Sequence, residues 1–243
     1  MPIRVTSKRK TPIQPAAATS AQAAALHGMD LRKPTVPGSS LPFHLPVPPD
    51  DWEQLPAGLS LCMIVKNEER FLPMCLRSVS GVVDEINIVD TGSTDATIDI
   101  AKQYGARIEH HPWRNDFAWA RNKALDMATR RWILVLDADE ELEAESIPAL
   151  LALKTVPAHL TGLFLRCLSL SDDYKGSGAM SSAIIRIVPN HPRIRFRSPI
   201  HEFLTLDGRE TGAPAFQSSV RIIHHGYTRQ MIDERGKRQR NLE

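Results

Sequence analysis

Between Leu59 and Leu136, short apolar runs alternate with segments of helical spacing, and each run ends in polar residues. Residues 59–65 (LSLCMIV) are too short for a core helix and have no polar face, as a strand buried on both sides requires. Residues 68–79 place Phe71, Leu72, Cys75, Leu76 and Val79 at helical spacing, with Pro73 near the start, where a missing N–H is tolerated. Residues 85–90 (EINIVD) read as a second strand. Residues 95–104 read as a helix capped by Ser93 or Thr94 and closed by Gly105. A brief strand at 106–110, a helix at 116–129, a buried strand at 131–136 (RWILVL) and a helix at 140–154 complete the series. This rhythm predicts an α/β fold on a mostly parallel sheet flanked by helices. Strands at 163–168, 182–188 and 220–223 follow without clear helices, so the second half is expected to be mixed or antiparallel.

The first 58 residues break with this pattern. They hold ten of the 18 prolines, which fix φ and remove donors, so residues 1–58 are expected to form a disordered arm or linker, with a short helix possible near 21–26. Their basic start lacks the apolar stretch of a secretory signal, and no run reaches the length of a membrane span. Three cysteines are too few for a disulfide scaffold and match no zinc spacing, which favours a reducing, cytoplasmic setting. A net charge of +2 and the lack of a recognition-helix motif argue against nucleic acid as a partner.

Ligands of open parallel sheets bind beyond the carboxyl ends of the strands. There the chain places Lys66, Asn67, Glu68 and Glu69, then residues 90–95 (DTGSTD), then residues 137–141 (DADEE). Asp137 and Asp139 lie one residue apart after a buried strand. They can share a divalent cation with diphosphate oxygens, or cap the helix that follows. Asp90 can hold a base or ribose, or the segment is a well-capped turn; it is neither a GxGxxG nor a Walker A loop. Asp116 suits a helix cap. Arg121, about a turn and a half on, can reach a phosphate or form a surface ion pair.

Four ordered motifs, CMIVKNEE at 62–69, DTGSTD at 90–95, W-x-x-DFAxARN at 113–122 and DADE at 137–140, resemble those of the family 2 glycosyltransferases. The likeness is strongest to the subgroup of SunS-like peptide glycosyltransferases, often fused to tetratricopeptide repeats, and spans residues 59–242. It implies a GT-A, Rossmann-like fold over residues 59–228. It implies a metal-dependent, inverting transfer from a nucleotide sugar, with a UDP-sugar the plain choice, to a peptide or protein, a saccharide or a lipid. By that resemblance Asp137, Asp139 and His224 hold Mn²⁺ or Mg²⁺, with His201 a second choice for the histidine. Asn67, Glu68, Asp90, Ser93, Asp116, Arg121 and Asp137 face the donor. Glu202, in the RFRSPIHE segment at 195–202, is the candidate base, and Arg186 matches an arginine of the subgroup's second half. Residues 229–243 form a basic segment with Arg229, Arg235, Lys237, Arg238 and Arg240, resembling the helix that leads into the repeats.

Two rival readings remain at this level. A nucleotidyltransferase would carry a glycine-rich basic loop after the first strand, where this chain has Lys66-Asn67-Glu68-Glu69. A non-catalytic nucleotide-binding or scaffold protein would keep the fold and lose turnover.

Overall fold

The computed structural model describes residues 55–154, 164–171, 182–206, 208–210 and 215–225. The expected arm, apart from residues 55–58, and the expected basic helix at 229–243 lie outside them.

Strand β1 (Leu59–Val65) lies centrally in an eight-stranded sheet and is almost wholly buried, as its unbroken apolar run requires. It pairs in parallel with β2 (Glu85–Asp90) on one side and β4 (Trp132–Val135) on the other, and β3 (Arg107–His110) extends the parallel half beyond β2. Between them run α1 (Leu72–Ser78), α2 (Thr97–Gln103) and α3 (Phe117–Asp126). The sheet continues from β4 through β7 (Ser182–Pro189), β6 (Phe164–Ser171) and β11 (Ala215–His224) to β5 (Glu140–Leu142). In this half the β4–β7, β6–β7 and β5–β11 pairs are antiparallel and β6–β11 is parallel. A second, three-stranded sheet joins β8 (Ile194–Arg197), β9 (Phe203–Leu206) and β10 (Arg209–Glu210). The sheet is thus mixed and mostly parallel in its first half, as the sequence predicts.

Two apolar layers follow from the two-residue period of β1. Leu59, Leu61, Met63 and Val65 face α1 and the helix α4 (Ile147–Leu153), packing with Leu72, Leu76, Leu150 and Leu153. Cys62 faces the other way, into a cluster with Val89, Ala124, Leu125 and Val135 that also takes in Phe196 and Leu204 of the small sheet. The second layer is what lays β8 and β9 against α3.

Three local expectations change. Residues 140–154 do not form one helix: 140–142 pair with β11, and α4 begins only at Ile147. Pro148 explains the late start, since it fits the first turn of a helix and would break one begun eight residues earlier. Ser93 and Thr94 do not cap α2; Asp95 accepts from Thr97 N (3.0 Å), while Ser93 and Thr94 bond to Asn67. The β8–β9 hairpin adds a strand at Phe203–Leu206 that local pattern does not mark. Pro73 in the first turn of α1 and Gly105 (φ +73°) beyond α2 stand where predicted.

The amino ends of the strands are locked by one carboxylate. Glu85 accepts from Ser60 Oγ (2.6 Å), Asn87 Nδ2 (3.1 Å) and the backbone and hydroxyl of Thr129 (2.6 and 2.5 Å). Burial alone would raise its pKa; the bonds from Ser60, Thr129 and Asn87 outweigh it and hold the carboxyl below its ordinary value.

Candidate active site

The opposite, carboxyl rim holds the polar residues. The turns after β1 and β2 are interlocked. Asn67, with φ +55°, receives Thr94 N on Oδ1 (2.8 Å) and donates its own N–H to Ser93 Oγ (3.0 Å). Glu68 N donates to Thr97 Oγ1 (2.7 Å). Asp90 is 3% exposed; it accepts from Gly92 N (3.2 Å) and Ser93 N (3.1 Å) and pairs with His110 Nδ1 (3.2 Å). Its carboxylate therefore braces the turn. Asp116 caps α3 by accepting from Trp119 N (2.8 Å), as its place before FAWARN predicts.

After β4 the chain turns sharply, with Glu140 N bonded to Asp137 O (3.0 Å). Both oxygens of Asp137 are taken by guanidinium groups, Oδ1 by Arg121 Nη2 (2.8 Å) and Oδ2 by Arg186 Nη2 (2.9 Å). Burial opposes ionisation of Asp137, yet the two arginine charges outweigh it and hold its pKa far below the carboxylate range. Arg186 also bonds Glu140, which is fully buried and braces the turn by accepting from Asp137 N (2.8 Å). Burial pushes the Glu140 carboxyl up, against the pull of Arg186. Arg121 Nε donates to Glu202 Oε1 (2.7 Å). The result is one chain of charges, Glu140–Arg186–Asp137–Arg121–Glu202, drawn from β5, β7, the β4 end, α3 and the β8–β9 connection. That connection is left-handed at two non-glycine residues, Ser198 (φ +74°) and His201 (φ +56°), at a cost of about 1–3 kcal/mol each.

β11 supplies the other side. Its antiparallel register sets His224 opposite Glu140, and His224 Nε2 lies 3.3 Å from Asp139 Oδ1. Burial works against a charged imidazole there; the bond and charge of Asp139, then the charges of Glu140 and Asp137, outweigh it and raise the His224 pKa. His201, the second choice, is exposed on the β8–β9 connection.

The pattern described as Glycosyl transferase family 2 matches residues 60–201, more than half of the chain. The chain belongs to that family. It is similar, at 40% identity over 191 residues (76% of this chain, 46% of the relative), to a TPR repeat-containing protein of Synechococcus elongatus. It is 28% identical over 182 residues (74% of this chain, 42% of the relative) to the prophage-derived glycosyltransferase SunS of Bacillus subtilis. The chain spans less than half the length of these curated relatives. A crystal structure of S. aureus TarS 1–349 in complex with UDP-GlcNAc shares 22% identity, with a TM-score of 0.40, over 46% of this chain and 35% of that one.

In this family 2 domain Asp139 and His224, paired with each other at 3.3 Å, are the residues that would offer an oxygen and a nitrogen donor to a divalent cation. Among the described residues no group of three or more His, Cys, Asp or Glu side chains is placed to hold a metal ion. Arg186 and Glu140 are the residues whose role local pattern does not disclose. Arg186 enters only through the family resemblance, and Glu140 only as the last letter of DADE. No helix among the described residues is long and apolar enough to cross a membrane.

Proposed function

We propose that this domain transfers a sugar from a UDP-sugar to an acceptor hydroxyl, thiol or amide by a single inverting displacement. The observation that carries this reading is the convergence of Asp139, His224, Asp137 and Glu202 on the carboxyl rim of the parallel strands in a chain of family 2. Asn67, Glu68, Asp90 and Ser93 shape the donor side through their interlocked turns. Asp139 and His224 would hold Mn²⁺ or Mg²⁺, which supplies charge neutralisation for the departing diphosphate. Asp137, fixed by two arginines, presents an ionised carboxylate beside them. Glu202 takes the acceptor proton as the acceptor atom attacks the anomeric carbon and the bond to the diphosphate oxygen breaks.

The test is release of UDP from UDP-glucose and UDP-N-acetylglucosamine with water as acceptor, in Mn²⁺. Turnover is expected from one of them, and Glu202→Gln should lower it by about 10²–10⁴-fold. Equal turnover by Glu202→Gln would remove the base assignment, and no nucleotide release from either sugar would count against the donor class.

A further inference from the structure

We infer that α3 is a strut that sets the acceptor-side carboxylate against the donor-side carboxylate, with Arg121 and Asn122 as positioning residues and neither one a contact to the donor. This rests on the reading of Glu202 as base. Arg121 gives Nε to Glu202 and Nη2 to Asp137, residues 81 and 16 positions away in sequence. A planar fork fixes the angle between its partners as well as the distance. The guanidinium is also turned away from solvent. Its residue is 7% exposed, its carbon lies 5.5 Å from the centre of the Phe196 ring, and its side chain lines an apolar crevice with Cys62, Ile64, Leu125 and Val135. Nη1 is buried, and among the described residues it has no hydrogen-bond partner. A group meant for a phosphate would keep that edge accessible.

The next residue works on the same segment. Asn122 Nδ2 donates to Phe196 O (2.9 Å) and Asn122 Oδ1 accepts from Phe196 N (2.9 Å), so one amide satisfies both backbone groups of a β8 residue. One turn earlier, Phe117 N donates to Pro199 O (2.9 Å). Four hydrogen bonds from three residues of one helix thus hold residues 196–202, the stretch that carries the left-handed Ser198 and His201 and ends at Glu202. Unfavourable backbone angles persist only where surroundings over-determine them, and α3 is the element that does so here. The A-R-N end of the DFAWARN motif is thereby explained by geometry between two halves of the site.

Two variants test this. Arg121→Lys keeps the charge and loses the fork; Asn122→Asp keeps the shape and sets an oxygen against Phe196 O. Calorimetry with UDP and Mn²⁺, the rate of UDP-sugar hydrolysis, and hydrogen exchange over residues 196–202 are measured for each. Both variants should bind UDP within about twofold of wild type, hydrolyse at least about tenfold more slowly, as a small misplacement of a reacting group implies, and exchange faster at 196–202 with β1 unchanged. UDP binding weakened tenfold or more by Arg121→Lys, with exchange at 196–202 unchanged, would overturn the inference by making Arg121 a donor contact. Full turnover by Arg121→Lys would overturn it by showing that charge alone suffices. Should Arg121→Lys not fold, Asn122→Asp decides. Should wild type bind no UDP, the proposed function falls, while unaltered exchange at 196–202 in Asn122→Asp would separately overturn the strut.

Discussion

Replacing Glu85 by alanine should destabilise the domain without touching the proposed site, because Glu85 sits at the amino ends of the strands, opposite the rim that carries Asp137. Its carboxylate is the acceptor for Ser60 Oγ and Asn87 Nδ2, whose residues are 0% and 1% exposed. Alanine orphans a donor on each, at about 1–3 kcal/mol apiece. Ser60 Oγ keeps the bond it accepts from Arg130 N (3.1 Å) but loses the acceptor for its own hydrogen, whereas Thr129 is open enough for water to replace what it loses. The net is about 3 kcal/mol, or a fall in Tm of about 6–12 °C at 2–4 °C per kcal/mol for a domain of this size. Glu85→Gln keeps one carbonyl oxygen and loses charge assistance, so about 1–2 kcal/mol is expected. The folded pKa of Glu85 is depressed, by bonds that outweigh its burial. Its contribution is therefore complete above the ordinary carboxylate range and is lost as pH falls through the folded value. Urea titrations at pH 7 and at steps below pH 4 should show a gap between wild type and Glu85→Ala that narrows on acidification. A Tm change under about 2 °C for Glu85→Ala, or a gap independent of pH, would refute this role for Glu85.

Two further predictions test other parts of the frame. Asp116→Ala removes the side-chain cap on α3 and should cost about 1 kcal/mol, read as a lower urea midpoint with an unchanged slope. Arg186→Met strips Glu140 and Asp137 of a shared counter-charge and should cost about 3–5 kcal/mol in the same assay, well above the effect of a surface arginine such as Arg114.

The legible part of this protein is the part encoded by near neighbours in sequence. The runs LSLCMIV and WILV announce β1 and β4, since a strand covered on both faces needs no polar side, and EINIVD marks β2. Pro73, Asp116 and Gly105 mark helix ends through their own backbone chemistry. What local pattern does not show is decided by distant partners. Residues 140–142 become a strand because β11, some eighty residues later, offers them a free edge, and the same pairing brings His224 to Asp139. Asp137 and Asp139 look alike in DADE, yet one is held between two arginines and the other faces a histidine. Arg121 reads as a phosphate ligand or a surface ion pair, and only the arrival of β8–β9 over α3 gives it Glu202.

The central claim is that the carboxyl rim binds a nucleoside diphosphate with a divalent cation through Asp139. The most direct measurement is thermal shift with UDP, GDP and their sugars, with and without Mn²⁺, on wild type and Asp139→Ala. UDP at a hundred times its Kd should stabilise wild type by about 2.7 kcal/mol in the presence of Mn²⁺. That shift should vanish without the metal and in Asp139→Ala. No shift with any nucleotide, or a UDP shift unchanged in Asp139→Ala, would contradict the account.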